Sequence, residues 1–387
     1  MSRLEELIQQ YCPDGVEYKK LSDIAQYAKE RVDSSLISTH TYVSVENLLQ
    51  NKEGKKDAST VPVGSLIKYE KGDILIGNIR PYLKKIWLAD TDGGTNGDVL
   101  AIKITDKDIM PSYLYQILAS DAFFLYDMSY AKGAKMPRGD KTAVMNYMVS
   151  VPPLPVQEEI VRILDNFAEL QAELQAELQK RLQQYEYYRD KLLSFSDLSN
   201  WGGQEVSVEW KKLEECCQIW DNKRKPITKG ARVAGEYPYY GANGVQDYVA
   251  DYIFDGKYVL VGEDGSVITP SGTPVVNWAE GKIWVNNHAH IISEKEGVLL
   301  RYLFHYLQII NITPLIHGNI PKLTGGDFRA LNIPVPPLPV QEDIVRILDK
   351  FYDLTADLTA GLPAEIEARR KQYEYYRNQL LTFKQKA

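Results

Sequence analysis

Val151 to Phe167 reads VPPLPVQEEIVRILDNF, and Val335 to Phe351 reads VPPLPVQEDIVRILDKF. Only Glu159/Asp343 and Asn166/Lys350 differ over these 17 positions, which excludes chance. The echo continues on both sides. Gln184 to Phe195 (QYEYYRDKLLSF) returns as Gln372 to Phe383 (QYEYYRNQLLTF), and Val16-Glu17-Tyr18-Lys19-Lys20-Leu21 returns as Val208-Glu209-Trp210-Lys211-Lys212-Leu213. A repeat of this length defines the architecture before any local propensity is read. The chain is two halves of roughly 190 residues each, in which residues 22–136 and 214–320 share little. One frame, written twice, holds two unlike inserts.

The frame is helical. Pro155 and Pro339 suit a first helical turn, where a missing N–H costs nothing, and Gln-Glu follows in that turn. Apolar residues then recur at helical spacing: Ile160, Ile163, Leu164, Phe167, Leu170, Leu174, Leu178 and Leu182 in one copy. The other copy gives Ile344, Ile347, Leu348, Phe351, Leu354, Leu358, Leu362 and Ile366. A helix from Pro155 to Phe195 would be about 60 Å long and needs a partner, for which the second copy, running antiparallel, is the natural choice. Ala-Glu-Leu-Gln is written three times, at 168–171, 172–175 and 176–179. Such a packed stripe can also act as a ruler whose length changes by turns. Gly361-Leu-Pro363 interrupts the second copy and leaves the straightness of that helix open. The inserts read as mixed α and β. Strand-like runs occur at Asp73–Gly77, Val99–Ile104 and Lys257–Gly262, and short helices are expected near Tyr113–Tyr126 and Leu299–Ile310.

At 387 residues two or three domains are expected. The 44% apolar and 25% charged composition is that of a soluble globular protein. Apolar runs are strand-sized, the Met-Ser-Arg-Leu-Glu-Glu-Leu start has no apolar h-region, and there are three cysteines, so a reduced cytoplasmic protein without membrane attachment is expected. The net charge of −7 argues mildly against a nucleic-acid partner, but phosphate contacts need only local cations.

The paired VPPLPVQEEI and QYEYYRDKLL blocks, with the quartet repeat between them, resemble the specificity subunits of type I restriction–modification enzymes. Gly77-Asn-Ile-Arg-Pro-Tyr-Leu-Lys-Lys85, Tyr237-Pro-Tyr-Tyr-Gly-Ala-Asn-Gly244, Val261-Gly-Glu-Asp-Gly265 and Asn286-Asn-His-Ala-His290 resemble segments of their target recognition domains. The resemblance implies an α+β chain with an internal pseudo-twofold repeat: two mixed α/β target recognition domains joined by two long antiparallel coiled-coil-like helices. The boundaries would be 1–150 for the first recognition domain, 151–200 for the central helix, 201–334 for the second recognition domain and 335–387 for the distal helix. It also implies double-stranded DNA as ligand, read as a split asymmetric site with an unread spacer. Two copies of a methyltransferase subunit would dock on the repeats, and a motor–nuclease subunit would join them. S-adenosylmethionine, ATP and Mg2+ would be bound by those partners, with no cofactor in this chain. Docking is expected at Gln157, Glu158, Tyr185 and Tyr188, and at Gln341, Glu342, Tyr373 and Tyr376. A related system with a fused methyltransferase–nuclease partner, and a coiled-coil scaffold without DNA binding, are the alternatives.

DNA contacts need cations near phosphates and side chains that reach base edges. In the first insert the candidates are Arg80, Lys84, Lys85, Lys132, Lys135, Arg138 and Lys141, beside Gly133 and Gly139. In the second they are Lys223, Arg224, Lys225, Lys229 and Arg232, with Tyr239, Tyr240, Asn243, Asn286 and His288. Gap-free alignment back from the proline block sets Pro137-Arg138 opposite Pro321-Lys322, which favours a phosphate clamp shared by both halves. For any single cation the competing reading is a solvated surface charge, and for Tyr239 and Tyr240 it is core packing.

No catalytic constellation emerges. Pro152-Pro153 follows Val151 rather than the Asn of an amino-methyltransferase motif, and there is no phosphate loop for an NTP motor. Pro13-Asp14 with Glu17-Tyr18-Lys19 superficially resembles a metal-dependent nuclease, but its carboxylates are too close along the chain, and the second copy has Gln204-Glu205-Val206 instead. His288 and His290 would share a strand face, yet no third metal ligand lies near them in sequence, so no metal is expected.

Overall fold

The computed structural model describes residues 2–195, 207–265, 267–356 and 361–386. They form two compact units, Met1–Gln175 with Glu365–Ala387 and Ala176–Ala364. Leu358 of the second apolar stripe, Gln204–Val206 and the expected boundary at 200/201 fall outside the described residues. Among the described residues no helix is long and apolar enough to cross a membrane.

In the first unit the frame strand Glu17–Lys20 pairs antiparallel with Met148–Val151, Glu17 opposite Val151 and Lys20 opposite Met148. A four-stranded sheet follows in the order Ala25–Tyr27, Val99–Ile104, Ile74–Gly77, Ile86–Leu88, and a second sheet of four short strands stands beside it. The helical stretch expected near Tyr113–Tyr126 is two helices, Pro111–Leu118 and Asp121–Tyr130, divided where the Ser120 hydroxyl caps the second. The long helix Leu154–Leu193 begins here, and Val156, Ile160 and Leu164 are completely buried in the core. Each such side chain contributes roughly 1.5–3 kcal/mol by leaving water. The end of the distal helix packs on the same core through Tyr373, Leu380 and Leu381.

The second unit repeats this plan. Glu209–Lys212 pairs with Asn332–Val335 in the matching register, Glu209 opposite Val335 and Lys212 opposite Asn332. Its six-stranded sheet contains the order Gln218–Ile219, Ala289–Ser293, Phe254–Gly262, Val276–Val285, extended by the hairpin Ala234–Gly241 and Gly244–Val249. The first four strands match the first unit's sheet strand for strand, although the sequences do not align. The helix expected at Leu299–Ile310 is Leu300–Leu307. Val340, Ile344 and Leu348 of the helix Leu338–Ala356 are buried in this core, together with Tyr185 and Leu193 from the end of the long helix.

In each unit the start of one frame helix therefore meets the end of the other. In the first, Ser150 reaches the Leu381 carbonyl at 3.4 Å while Phe167 stacks on Tyr376 at 5.4 Å, so the two segments run antiparallel. In the second, Phe351 stacks on Tyr188 at 5.5 Å and 23°, the same contact made by the other copy. The distal helix is in two pieces among the described residues, Leu338–Ala356 and Leu362–Leu380. Pro363 falls in the first turn of the second piece, where its ring is tolerated.

Candidate nucleic-acid interface

A loop leaves the central strand of each sheet and is fastened by main-chain hydrogen bonds at three points. In the first unit Ile74–Gly77 runs into Asn78-Ile79-Arg80. The Asn78 N–H donates to the Asp98 carbonyl (2.9 Å), the Arg80 N–H to the Pro137 carbonyl (2.7 Å), and the Gly139 N–H to the Asn78 carbonyl (3.2 Å). In the second unit Phe254–Gly262 runs into Glu263-Asp264-Gly265. There the Glu263 N–H donates to the His288 carbonyl (2.9 Å), the Gly265 N–H to the Pro321 carbonyl (3.0 Å), and the Leu323 N–H to the Glu263 carbonyl (2.8 Å). The two clips are the same object. Asn78 corresponds to Glu263, Arg80 to Gly265, Asp98 to His288, and Arg138 to Lys322. The last pair is the one that gap-free alignment had set together, and each takes part in a bridge to the clipped loop, Ile79 to Arg138 and Asp264 to Lys322.

Of the first insert's candidates, Arg80, Lys132, Lys135, Arg138 and Lys141 are exposed around this clip. Lys132 pairs with Asp140 at 2.9 Å and Arg138 with Asp98 at 3.1 Å, in the open, where such pairs exchange readily for phosphate. Lys84 and Lys85 are half-buried and serve the fold instead. Lys84 and Lys52 both hold Asp121, at 2.8 and 3.0 Å. Burial alone would raise the Asp121 carboxyl, but the two ammonium groups outweigh it and keep it at about 2. Lys85 donates to the Val45 carbonyl. Behind the clip, Asp127 is almost fully buried, and among the described residues its two carboxyl oxygens and Asn78 Oδ1 have no hydrogen-bond partner. Burial, aided by Asp140, pushes the Asp127 carboxyl up to about 6.

The second insert's candidates separate more sharply. Lys225, Lys229 and Asn243 are exposed, as is Lys223, which lies 4.4 Å over the Trp220 ring. Arg224 is internal: its guanidinium meets Glu263 and the Ala289 carbonyl, both at 2.6 Å. Tyr239 is buried, its hydroxyl accepting from the Ile227 N–H at 2.9 Å, with Arg232 stacked over its ring at 4.2 Å and paired to Asp247. Tyr240 packs against the sheet core, and Asn286 is buried, with Oδ1 accepting from the His288 N–H at 2.8 Å. Arg224, Tyr239 and Asn286 are thus engaged inside the unit through these polar contacts. His288 is exposed and hydrogen-bonded to Asp264, and Lys322 lies 3.4 Å from Glu263.

The fold gathers two carboxylates beside His290, not His288, in an arrangement of a kind that could hold a metal ion. Asp221, Glu263 and His290 offer ligand atoms within 4.8 Å of one another. The cluster already holds its positive charge. Arg224 lies 2.6 Å from Glu263 and 3.7 Å from Asp221, and Lys322 also reaches Glu263. His290 is stacked on Phe328 at 4.2 Å and bonded to Asp221 at 2.7 Å. Burial works to raise the Asp221 carboxyl, but His290, the Ile291 N–H and Arg224 together hold it below its ordinary value.

Gln157 and Gln341, expected at a docking surface, are fully buried. Gln157 donates to the Pro152 and Asp108 carbonyls, both at 2.7 Å, and accepts from the Met110 N–H at 3.0 Å. Gln341 makes the same three bonds, to the Pro336 and Gly297 carbonyls and from Leu299 N–H. Each amide latches a helix start to its domain and is buried rather than presented at the surface. Tyr185 is likewise buried against His305, and Tyr373 donates to Gln116 at 3.0 Å. Glu158, Glu342, Tyr188 and Tyr376 remain exposed. The sequence reading missed Tyr187 and Tyr375, each 60% exposed and set edge-on to the next tyrosine. Their signal was in plain view as the fourth residue of QYEYYR in both copies.

The family model described as "Type I restriction modification DNA specificity domain" matches residues 13–184 and again 205–368. The chain belongs to this family. A putative type I restriction enzyme specificity subunit of Haemophilus influenzae is 45% identical over 179 residues, 45% of this chain and 46% of that one, so the match spans about half of each. A putative specificity subunit of Mycoplasma pneumoniae is 32% identical over 246 residues, 62% of this chain and 97% of its own. The EcoR124I/EcoR124II specificity subunit of Escherichia coli is 33% identical over 254 residues, covering 59% and 60%. The crystal structure of a type I S subunit from M. genitalium shares the fold of this specificity-family chain, with a TM-score of 0.58 at 14% identity over 95% of both chains.

Proposed function

We propose that this chain is the DNA-reading subunit of a type I restriction–modification complex and is not itself catalytic. Each unit would read one half of a split, asymmetric double-stranded site through its clipped loop. The observation that carries this reading is that two unrelated inserts build one main-chain clip, hung at equivalent places on a duplicated frame. Like frames suit two copies of one partner, and unlike side chains on the clips suit two different half-sites. The cations around the first clip (Arg80, Lys132, Lys135, Arg138, Lys141) and around the second (Lys223, Lys225, Lys322) would meet phosphates and base edges. Asn243 and His288 would join them, and Lys84, Lys85 and Tyr240 would support these contacts from behind.

The exposed helix faces carrying Glu158, Tyr187 and Tyr188, and Glu342, Tyr375 and Tyr376, would each dock one methyltransferase subunit. Tyrosine suits such an anchor because it buries a large face at small entropic cost. Those partners would bring S-adenosylmethionine, and a motor–nuclease subunit would bring ATP and Mg2+ to cut unmodified DNA.

The test is methylome sequencing of a host expressing this chain together with the methyltransferase gene beside it, against the same host with that gene alone. A new split motif with methyladenine on both strands is the expected result. A complex that assembles yet writes no motif would leave a scaffold and remove the DNA-reading role.

A further inference from the structure

We infer that Arg80 reads a guanine in the half-site served by the first unit, an inference that rests on the DNA-reading role proposed above. The argument begins with the backbone. The clip turns its chain through the left-handed region at one equivalent position in both units, Arg80 with φ 54° and Gly265 with φ 78°. Glycine enters that region freely, whereas a residue with a Cβ is strained there. The second unit takes the unstrained solution. The first holds an arginine in the strained one, locked by the 2.7 Å hydrogen bond from its N–H to Pro137 and by the buried Pro81 that follows. Strain of this kind persists where the side chain has a task.

Among the described residues the exposed Arg80 guanidinium makes no hydrogen bond or ion pair, whereas Lys84, Lys132 and Arg138 around it are each held by a carboxylate. Lys135 and Lys141 are exposed too, but neither adopts the left-handed backbone that Arg80 holds. A planar guanidinium on a fixed anchor can pair in bidentate fashion with O6 and N7 of guanine in the major groove. The neighbouring exposed Lys132 and Arg138 are placed to hold phosphates, which sets register without reading sequence.

Bound sequences would be selected from a randomised duplex pool by the full chain assembled with its methyltransferase subunits, for wild type, Arg80→Gly and Arg80→Lys. Arg80→Gly installs the second unit's own residue and removes the strain, so unfolding does not confound it. The wild type should yield a split motif with an invariant guanine in one half. In both variants the preference at that base pair should fall roughly tenfold or more, with every other position and the other half-site unchanged. An unchanged motif bound more weakly at all sequences, with a shallower salt dependence, would make Arg80 a phosphate contact and overturn the inference. Unaltered binding would overturn it equally. Failure of the wild type to select any motif would instead strike the DNA-reading role, so the two failures are distinguishable.

Discussion

Replacing Asp127 by asparagine should stabilise the protein at alkaline pH and flatten its stability profile below neutrality. Among the described residues the buried Asp127 carboxyl has no hydrogen-bond partner, and the space beside Gly139 is taken by its oxygens and Asn78 Oδ1. A Cβ at residue 139 would meet Asp127 Oδ1 at 2.5 Å and Asn78 Oδ1 at 2.7 Å. Burial moves the carboxyl from its ordinary 3.8 up to about 6. At about 1.36 kcal/mol per pKa unit, that shift corresponds to roughly 3 kcal/mol. The sign follows from the direction. A carboxyl raised in the folded state contributes fully below pH 3.8, and that contribution is lost as pH rises through about 6. Wild type should therefore lose roughly 3 kcal/mol between pH 4 and pH 8 through this group, while Asp127→Asn, neutral throughout, should not. Urea unfolding of the full chain at half-unit pH steps, followed by tryptophan fluorescence, measures the difference. Equal pH profiles for the two proteins, or a variant weaker than wild type at pH 8, would refute the reasoning.

Gln157→Ala and Gln341→Ala should each cost about 2–3 kcal/mol, since each strands buried backbone groups that the amide now satisfies. Unchanged urea midpoints with loss of the methyltransferase partner would return these residues to the docking surface. Arg224→Met leaves Glu263 and Asp221 undercompensated and should destabilise by about 3 kcal/mol, with part recovered in the Arg224→Met/Glu263→Gln double variant, as a double-mutant cycle would show. Deleting residues 172–175 removes about one turn, some 6 Å, from the helix Leu154–Leu193. Methylome sequencing should then show a spacer shorter by one or two base pairs between unchanged half-sites.

The frame was legible because its signals are local: a near-identical repeat, prolines in first helical turns and apolar residues at helical spacing. The shared sheet of the two inserts was not legible. It rests on backbone pairings, such as Gly77 opposite Val99 and Gly262 opposite Ala289, that leave no common side-chain pattern. The same cause hid the correspondence of Arg80 and Gly265. The burial of Gln157 was not legible because a glutamine in the first turn after proline looks solvated, and only the fold brings the distant Asp108 and Met110 backbone groups onto it beside the nearby Pro152 carbonyl. Arg224 looked like a surface cation in a Lys-Arg-Lys run. Its carboxylate partner, Glu263, is 39 residues away in sequence.

Because the clip is fastened through N–H and C=O groups, its attachment is indifferent to which residues it displays. Asn78 and Glu263, and Arg80 and Gly265, differ in identity while the three bonds that hold the loop are the same in both units. Change in the displayed side chains is thereby uncoupled from the joints that keep the loop in place: two inserts without common sequence hang from the same three main-chain bonds.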